Sequence, residues 1–449
     1  MNRVIKIIDS NEESFLDDLT RRKAEDLDRV LDDVARILRR VREGGDRALA
    51  ELTLRFDGVK LSPRRFRVTE KEICQAEKAL DRGLKEALSS AYSRIGDFHR
   101  RQLSGSWFTT GPEGEILGQR VLPVESAAIY APGGKAAYPS SVLMGVAAAR
   151  AAGVNRIVLF SPPDKKGALN QALLFAAGTL GQVKEIYRVG GAQAIAAAAY
   201  GTETIQPVNV IAGPGNIYVT AAKKLVYGTV NIDMLAGPSE ILVIADNSAN
   251  PSWVAADMLS QAEHDERAGC LLVTTGRELA LNVQKEISRQ LRTLPKKEIA
   301  RKALENFSAI IIVQNLDQAV ILANRFAPEH LELMAADPWS LLGRIRNAGA
   351  VFLGPYSPEA AGDYWAGPNH VLPTCGSAKS FSGLGVDIFL KKSSIISFTR
   401  TAFDQAVNPV TVIARAEGLE AHARSMEIRK EKQTWTRKAK PKKRSAPRY

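Results

Sequence analysis

Apolar residues recur at helical spacing along the first hundred residues of the chain. One such run, with charged residues between its members, consists of Leu27, Val30, Leu31, Val34, Ile37 and Leu38. A second amphipathic stretch extends from about Thr69 to Phe98. Because a period near 3.6 residues places apolar side chains on one face of a helix, residues 11–105 are predicted to be helical. The glycines of Gly44-Gly45 and Asp57-Gly58 are expected to interrupt this region.

Short aliphatic runs replace this pattern from about Gln119 onward. The runs predicted to be strands are Ser126–Tyr130, Arg156–Phe160, Glu185–Val189, Val208–Ile211, Glu240–Ala245, Cys270–Thr274, Ala309–Val313 and Ala350–Leu353. They are rich in β-branched residues and show little alternation, which is typical of strands buried on both faces of a parallel sheet. Segments rich in small residues, such as Ser141–Ala152 and Ala192–Tyr200, lie between them and predict helices.

This alternation of strands and helices predicts an α/β fold with parallel sheets. Two blocks, roughly 125–240 and 240–355, could each form one sheet. The chain has 449 residues, more than one hydrophobic core normally organises, so several domains are expected. In such sheets a ligand binds beyond the carboxyl ends of the strands.

The net charge of +12 is concentrated at one end of the chain. Between Arg424 and Tyr449 eleven Lys and Arg residues stand against two Glu, a surplus of nine, so the remaining 423 residues carry only +3. This composition predicts a disordered basic tail over residues 428–449. The tail could contact nucleic acid electrostatically, although it has little aromatic content beyond Trp435 and Tyr449.

The sequence carries no signal for export or for membrane insertion. No apolar run approaches the roughly 18 residues that a membrane span needs, and Met1–Ser10 lacks the apolar centre of a signal peptide. The cysteines Cys74, Cys270 and Cys375 are far apart, which argues against a disulfide framework and against a thiolate metal site. A cytoplasmic protein with reduced thiols is therefore expected.

Three glycine-containing turns directly follow predicted strands. They are the segments 130–135, 189–193 and 211–216. Glycine permits a positive φ and a close approach of the backbone to a ligand, and a following helix N-terminus can hold phosphate. None of the turns matches the pattern G-x-G-x-x-G. Each turn has a polar side chain beside it (Tyr130, Gln193 and Asn216), so together they indicate a nucleotide or dinucleotide site. Simple tight connections are the alternative.

The chain has five histidines, most of them near acidic residues. Gln261 and His264 are three positions apart, so on a helix they would share a face. With Asp363 and His422 they could form a divalent metal site of oxygen and nitrogen ligands, which suits Zn²⁺, Mn²⁺ or Co²⁺. The alternative is a solvated helix face, because the sequence does not show that the four residues converge. His99 lies in a charged helical stretch and is expected on the surface.

A further candidate is the run Pro328-Glu329-His330. Pro328 can open a helix, which would place Glu329 and His330 at its N-terminus. The helix dipole would stabilise the carboxylate there and keep the imidazole neutral, so that His330 could accept a proton. The alternative is a capping Glu329 followed by an incidental histidine.

Over about residues 5–427 the sequence closely resembles the histidinol dehydrogenase family. The segments that carry the resemblance are 130–140 (YAPGGKAAYPS), 190–195 (GGAQAI), 213–216 (GPGN), 236–240 (AGPSE), 260–264 (SQAEH), 327–331 (APEHL), 369–374 (NHVLPT) and 417–422 (EGLEAH). The family oxidises L-histidinol to L-histidine through an aldehyde in two NAD⁺-dependent steps, the last reactions of histidine biosynthesis. The basic tail from about Arg429 departs from the family pattern, as does Cys375, where small residues are usual. A small buried thiol is favoured over a reactive one at Cys375.

The resemblance implies a role for each candidate residue. The implied zinc ligands, one ion per subunit, are Gln261, His264, Asp363 and, from the partner subunit of a homodimer, His422. The implied catalytic pair is Glu329, which activates water, and His330, which acts as acid and base. The implied contacts to L-histidinol are the zinc ligands together with Ser239, His330, His370 and Glu417. The implied contacts to NAD⁺ are Tyr130, Gln193 and Asn216.

Pattern and resemblance together predict the organisation of the chain. Two Rossmann-like parallel-sheet domains are expected, with a helical N-terminal region and a small C-terminal dimerisation segment. The predicted division is an N-terminal arm (1–28), a first α/β domain (29–128 plus 240–385), a second α/β domain that contacts NAD⁺ (129–239), a segment that crosses the dimer (386–427) and the basic tail (428–449).

Three other functions are compatible with the same residues. The first is a related zinc-dependent dehydrogenase of another polar alcohol, such as a sulfonated diol. The second is a metal-dependent hydrolase that uses Glu329 and His330 without a nucleotide. The third is a nucleic-acid-binding protein that acts through its tail. Activity on histidinol, binding of NAD⁺, and the salt dependence of DNA binding with and without residues 430–449 would separate them.

Overall fold

The structure is a computed structural model that describes residues 4–9, 14–133 and 138–430. The chain divides into two compact units. Unit 1 consists of residues 1–103 and 123–391, and unit 2 consists of residues 104–122 and 392–449. Apart from residues 428–430, the predicted basic tail lies outside the described residues, so its proposed contact with nucleic acid stays a prediction.

The described part of the chain forms fourteen strands and fifteen α-helices. The strands are β1 (Lys6–Asp9), β2 (Trp107–Thr110), β3 (Ile116–Pro123), β4 (Ser126–Tyr130), β5 (Arg156–Phe160), β6 (Glu185–Tyr187), β7 (Val210–Ala212), β8 (Asn231–Ile232), β9 (Glu240–Ala245), β10 (Gly269–Thr274), β11 (Ala309–Ile312), β12 (His330–Met334), β13 (Ala350–Leu353) and β14 (Leu390–Ser397). The helices are α1 (Ser14–Asp57), α2 (Glu70–Ala79), α3 (Arg82–Arg100), α4 (Pro139–Ala151), α5 (Gln171–Leu174), α6 (Gly191–Tyr200), α7 (Ile217–Val226), α8 (Pro251–Ala262), α9 (Arg277–Gln290), α10 (Lys297–Phe307), α11 (Leu316–Phe326), α12 (Pro338–Leu342), α13 (Glu359–Tyr364), α14 (Arg400–Ala416) and α15 (Glu420–Glu427).

The block predicted over residues 125–240 forms one five-stranded parallel sheet, in the order β6-β5-β4-β7-β8. Alternate residues of β4 pack on opposite sides. Ala127 and Ile129 join a core with α4, whereas Ala128 and Tyr130 join a core with α1, α6 and α7. Burial on both faces explains why these strands read as continuous apolar runs in the sequence. The chain reverses its direction of travel across the sheet between β4 and β7, which is a topological switch point.

The block predicted over residues 240–355 forms a second parallel sheet, in the order β1-β11-β10-β9-β12-β13. Its edge strand β1 comes from the first residues of the chain. Sequence reasoning also missed β12, because Pro328 was interpreted as the start of a helix. That interpretation is wrong: residues 330–334 form a strand between β9 and β13 in which every side chain is buried.

The helical prediction for the N-terminal region is confirmed in its main elements. In α1 the apolar positions Leu27, Val34 and Leu38 are buried, and the break expected at Gly44-Gly45 is a kink at Gly45 (φ 52°) inside one long helix. The stretch predicted from Thr69 to Phe98 is two helices, because Asp81 caps a new helix by accepting a hydrogen bond from the Leu84 amide. No helix in the described residues is long and apolar enough to span a bilayer.

Unit 2 contains a three-stranded sheet in the order β14-β3-β2, followed by α14 and α15. Strands β2 and β3 pair antiparallel. All four residues of β2 are exposed, so the strand lacks the apolar pattern by which buried strands are recognised, and it was not predicted.

Gly213 holds the turn after β7 against β4. Its φ is 119°, and a Cβ at this position would lie 2.1 Å from the Tyr130 carbonyl oxygen. Its amide donates to Asp233 Oδ2 (2.7 Å), and its carbonyl accepts from Lys223 Nζ (3.0 Å). The Lys223 ammonium and the Asp233 carboxylate are themselves an ion pair that is almost fully buried. Hydrogen bonds to both the amide and the carbonyl of Gly213 therefore hold the third glycine turn of the sequence.

We expect Gly213→Ala to destabilise the protein because the new methyl group meets strand backbone that cannot move away. Gly228→Ala is the matched control, since its φ is also positive (98°) but no heavy atom lies within 4 Å of the added Cβ. The loss of unfolding free energy at Gly213 should exceed that at Gly228 by about 1–3 kcal/mol. Urea denaturation measures both, and equal losses would contradict the packing described here.

Candidate active site

A cavity of about 510 Å³ lies between the two sheets of unit 1. One wall comes from the turn after β7, which includes Asn216, and the other comes from Ser239, Glu329 and His330 at the start of β9 and β12. The described parts of the three glycine turns lie at the carboxyl edge of the five-stranded sheet, as predicted, whereas Gly134 and Lys135 lie outside the described residues. In the six-stranded sheet the expectation is wrong, because Glu329 and His330 lie at the amino edge.

His330 is the first residue of β12 and is 3% exposed. Its Nδ1 lies 3.0 Å from the Glu240 carbonyl oxygen, which can only accept, so Nδ1 carries the proton. The other ring nitrogen, Nε2, is buried and has no hydrogen-bond partner among the described residues. Burial lowers the pKa of His330 to about 3. The ring is therefore neutral, and Nε2 has a lone pair that can accept a proton. Burial at the start of a strand keeps the ring neutral here, rather than the helix dipole expected from the sequence.

Glu329 lies beside His330, and its side chain is also held by Glu240. Its Oε2 accepts a hydrogen bond from the Glu240 amide at 2.9 Å. Burial raises its pKa well above 4.5, and the nearby carboxylates of Glu240 and Asp363 raise it further. Glu240 itself is fully buried, and one of its carboxylate oxygens accepts from the Cys375 amide (2.9 Å). One residue thus positions both members of the candidate pair through its backbone, a role that sequence reasoning missed.

A second group of polar side chains in this region could hold a metal ion. Ligand atoms of His264, Glu359 and Asp363 all lie within 4.8 Å of one another. Gln261 lines the cavity with His264 and Asp363, and its Oε1 is buried without a hydrogen-bond partner in the described chain. An orphaned amide oxygen, an imidazole and two carboxylates in one place form a donor set that fits Zn²⁺. The predicted ligands Gln261, His264 and Asp363 therefore do come together.

The local structure differs from the expected helix face. Helix α8 ends at Ala262, so His264 lies just past its end, although the His264 amide still donates to the Gln261 carbonyl at 3.2 Å. This last turn keeps the two side chains on the same cavity wall. The i, i+3 spacing therefore led to the right pair for a partly different reason.

Glu359 is the acidic residue that sequence reasoning missed. It begins α13, four positions before Asp363, so the two carboxyl groups share a helix face. Burial and the charge of Asp363 raise the pKa of Glu359 to about 8, and burial raises that of Asp363 to about 6. Two carboxyl groups that resist ionisation next to each other favour a cation between them. The spacing Glu359-x-x-x-Asp363 was the available signal.

His370 also lines the cavity, as predicted, and both of its ring nitrogens have partners. Nδ1 lies 2.8 Å from the Asp363 carbonyl oxygen and so donates to it, and Nε2 lies 3.3 Å from Ser141 Oγ. Burial lowers the pKa of His370 to about 4. His370 therefore fixes the backbone of Asp363 as well as facing the cavity.

The three residues predicted to contact NAD⁺ line a second cavity of about 1350 Å³. Tyr130 is buried, and its hydroxyl accepts from the Gly191 amide (3.0 Å). Gln193 is 1% exposed, and its Nε2 has no partner within the described ranges. Asn216 caps α7, with its Oδ1 accepting from the amides of Tyr218 and Val219, and it lines both cavities. The structure thus brings the three residues to one cleft at the switch point.

Unit 2 carries the remaining two predicted site residues. Glu417 follows α14 and His422 lies in α15, and both side chains are exposed. Neither side chain is buried within its own unit, so each is accessible to a ligand or to another chain.

His99 and Cys375 lie in environments that differ from those predicted. The prediction that His99 lies on the surface is wrong, because His99 is fully buried between Gln102 Oε1 (2.8 Å) and Asn369 Nδ2 (3.2 Å). The run of charges around it covers the exposed face of α3, whereas His99 lies on the opposite face. Cys375 is half-buried rather than buried, in a positive-φ turn (φ 51°) next to Thr374, which lines the site cavity.

Comparison with known proteins supports the resemblance stated from the motifs. The family model described as histidinol dehydrogenase matches residues 20–430. The histidinol dehydrogenase of Geobacillus kaustophilus (strain HTA426) is 56% identical over 396 residues, which cover 88% of this chain and 93% of that protein. That of Carboxydothermus hydrogenoformans is 53% identical over 419 residues, 93% of this chain and 98% of that protein.

A solved structure gives the same result. The crystal structure of histidinol dehydrogenase from Elizabethkingia anophelis matches with a TM-score of 0.85 at 39% sequence identity. The match covers 89% of this chain and 92% of that chain. Sequence and fold comparisons thus agree over the two-sheet body that contains both cavities.

Proposed function

Since the chain belongs to the histidinol dehydrogenase family, we propose that it oxidises L-histidinol to L-histidine with two molecules of NAD⁺, through L-histidinaldehyde. This would be the last step of histidine biosynthesis. The observation that carries the proposal is the cavity that joins a neutral His330, a buried Glu329 and the His264, Glu359 and Asp363 cluster. An alcohol placed there would meet a proton acceptor and a group able to activate water.

His330 supplies the proton chemistry in this proposal. Its Nδ1–H donates a hydrogen bond to the Glu240 carbonyl, so Nε2 is the atom that accepts the alcohol proton as hydride leaves the carbon. Nε2 lies 3.8 Å from Asp363 Oδ1, and this carboxylate would stabilise the imidazolium that forms. The low pKa of the buried ring keeps it unprotonated at the start of each cycle. The same nitrogen would serve again when the hydrated aldehyde is oxidised.

Glu329 activates water for the second oxidation only. An aldehyde must be hydrated before it can lose a second hydride, and this requires a base beside the carbonyl carbon. Glu329 Oε2 is anchored to the Glu240 amide, which fixes the carboxyl group next to His330. Its raised pKa makes the ionised form of Glu329 a stronger base than an ordinary carboxylate.

Zn²⁺, when bound by Gln261, His264, Asp363 and the partner subunit's His422, would hold the amino and imidazole nitrogens of the substrate. The carboxylates of this group, including Glu359, supply the negative charge that a divalent ion requires. Ser239 and His370 line the same cavity and would confine the substrate between the ligands and His330. The protein would thus use positioning to align one carbon with one base.

NAD⁺, which accepts the hydride in each step, would occupy the larger cleft. Tyr130, Gln193 and Asn216 line this cleft, and the amide nitrogen of Gln193, which has no partner among the described residues, could donate to a ligand. Asn216 and Pro132 line both cavities, so a dinucleotide in the cleft could present its nicotinamide to the substrate.

We further propose a homodimer in which each active site uses Glu417 and His422 of the partner subunit. Both side chains are exposed in unit 2, which leaves them accessible to a second chain. We also propose a cytoplasmic protein, which the absence of disulfide bonds at Cys74, Cys270 and Cys375 and the biosynthetic reaction support.

Substitution of the catalytic pair should separate the two oxidations. His330→Asn should slow both the alcohol and the aldehyde step by about 100-fold or more, because each step needs the base. Glu329→Gln should slow oxidation of L-histidinaldehyde by a similar factor of about 100 and leave the first hydride transfer nearly intact. Single-turnover absorbance of NADH with each substrate measures this. Loss of the alcohol step alone in Glu329→Gln would refute the assigned roles.

Shared active sites predict complementation between two inactive chains. A dimer of one His422→Ala chain and one His264→Ala chain contains one intact ligand set, so it should recover about half of the wild-type activity. Mixed dimers can be isolated with two different affinity tags, and the two parent homodimers are the controls. Purified mixed dimers without activity would show that each site is built within one chain.

A further inference from the structure

The larger cleft contains an acidic residue that the reaction described above does not use. Asp57 is the last residue of α1 and lines the cleft together with Tyr130 and Gln193. Its Oδ2 is buried and lacks any hydrogen-bond partner in the part of the chain that the structure describes. Burial raises the pKa of Asp57 to about 6, and its charge contributes to the raised pKa of Tyr130. A carboxylate in this position requires a donor, and the described residues do not supply one.

The other acids of the cleft already have partners. Asp33 forms an ion pair with Arg36, and Asp164 Oδ1 accepts from the amides of Lys166 (2.8 Å) and Ala168 (2.9 Å). Among the described acidic residues of the cleft, Asp57 is thus the one with a carboxylate oxygen that could accept a hydrogen bond from a ligand.

The basic and acidic side chains that line the cleft suit different parts of a dinucleotide. Basic side chains that line it, among them Arg36, Lys165 and Lys166, suit the pyrophosphate. A carboxylate would repel phosphate but accepts hydrogen bonds from hydroxyl groups, and it has two oxygens for the two adjacent hydroxyls of a ribose. Asp57 therefore matches a ribose and not a phosphate.

The position of Asp57 selects one of the two riboses. The nicotinamide half must reach the cavity that contains His330, and among the described residues Pro132 and Asn216 line both cavities. Asp57 lines the larger cleft and not the cavity of His330. The half of the dinucleotide beside it is the adenosine half, where other dinucleotide-binding sheets also use an acidic residue.

We propose that the Asp57 carboxylate accepts hydrogen bonds from the 2′- and 3′-hydroxyls of the adenosine ribose, and so selects NAD⁺ against NADP⁺. This inference rests on the proposed function, since it assumes that the cleft binds the dinucleotide. A 2′-phosphate would remove one donor and bring negative charge against the buried carboxylate, which explains the direction of the selection.

Calorimetric titration of the full-length protein with NAD⁺, NADP⁺ and NAD⁺ lacking the adenosine 2′-hydroxyl tests the proposal. Wild type should bind NAD⁺ about tenfold or more tightly than either analogue, as expected for loss of a hydrogen bond to a charged group. Asp57→Asn and Asp57→Ala should reduce this discrimination to about threefold or less. Asp33→Asn is the matched control, because it removes a carboxylate of the same cleft that is already paired, and it should retain the discrimination.

Each result has a distinct meaning. Equal binding of NAD⁺ and its 2′-deoxy analogue by wild type would overturn the assignment of Asp57 without any variant, so the test does not depend on the folding of a mutant. Unchanged discrimination in a folded Asp57→Asn protein would overturn it as well, and continued NAD⁺ binding would leave the proposed function standing. Absence of NAD⁺ binding by wild type would overturn both.

Discussion

The burial of several acidic side chains at one sheet edge is the constraint on which the site depends. The buried acids around β9, β12, α8 and α13 are Glu240, Asp257, Glu329, Glu332, Glu359 and Asp363. Ionised carboxylates cannot stay together in a low-dielectric interior without protons or a cation. Burial, together with the charge of neighbouring carboxylates, accordingly raises the pKa of Asp257, Glu332 and Glu359. In the proposed enzyme, a divalent ion beside His264 and Gln261 would offset the negative charge of Glu359 and Asp363.

The arrangement of the two sheets brings the chemistry to this edge. The short segment from Asp233 to Ser239 leads from the carboxyl edge of one sheet to the amino edge of the other. The larger cleft at the first edge therefore adjoins the acid cluster at the second, and Asn216 lines both cavities. Within the cluster, Glu240 fixes Glu329 through its amide and His330 through its carbonyl. Strand pairing, rather than a flexible loop, thus fixes Glu329 and His330 relative to each other.

Sequence patterns predicted the parts of this structure that rest on local periodicity. Strands β4, β5, β9 and β13 were predicted with their observed bounds, because short aliphatic runs are typical of strands in a parallel sheet. The helix assigned to Glu329 and His330 was wrong, since Pro328 is compatible with a helix start and only the neighbouring strands β9 and β13 decide otherwise. His99 and Glu359 were misread or missed for the same reason: their partners, Asn369 and His264, are distant in the sequence. The motif segments identified the family, whereas the ligand set beyond unit 1 stays a prediction.

The measurement that tests the central proposal most directly is the yield of NADH from limiting L-histidinol, with and without a chelator. We expect about two NADH for each histidinol, because one site would perform both oxidations. Activity should disappear on chelation and return with Zn²⁺, because in the proposed mechanism the ion holds the substrate in place. A yield of one NADH would contradict the two-step proposal, and full activity in the chelated protein would contradict the role given to the metal.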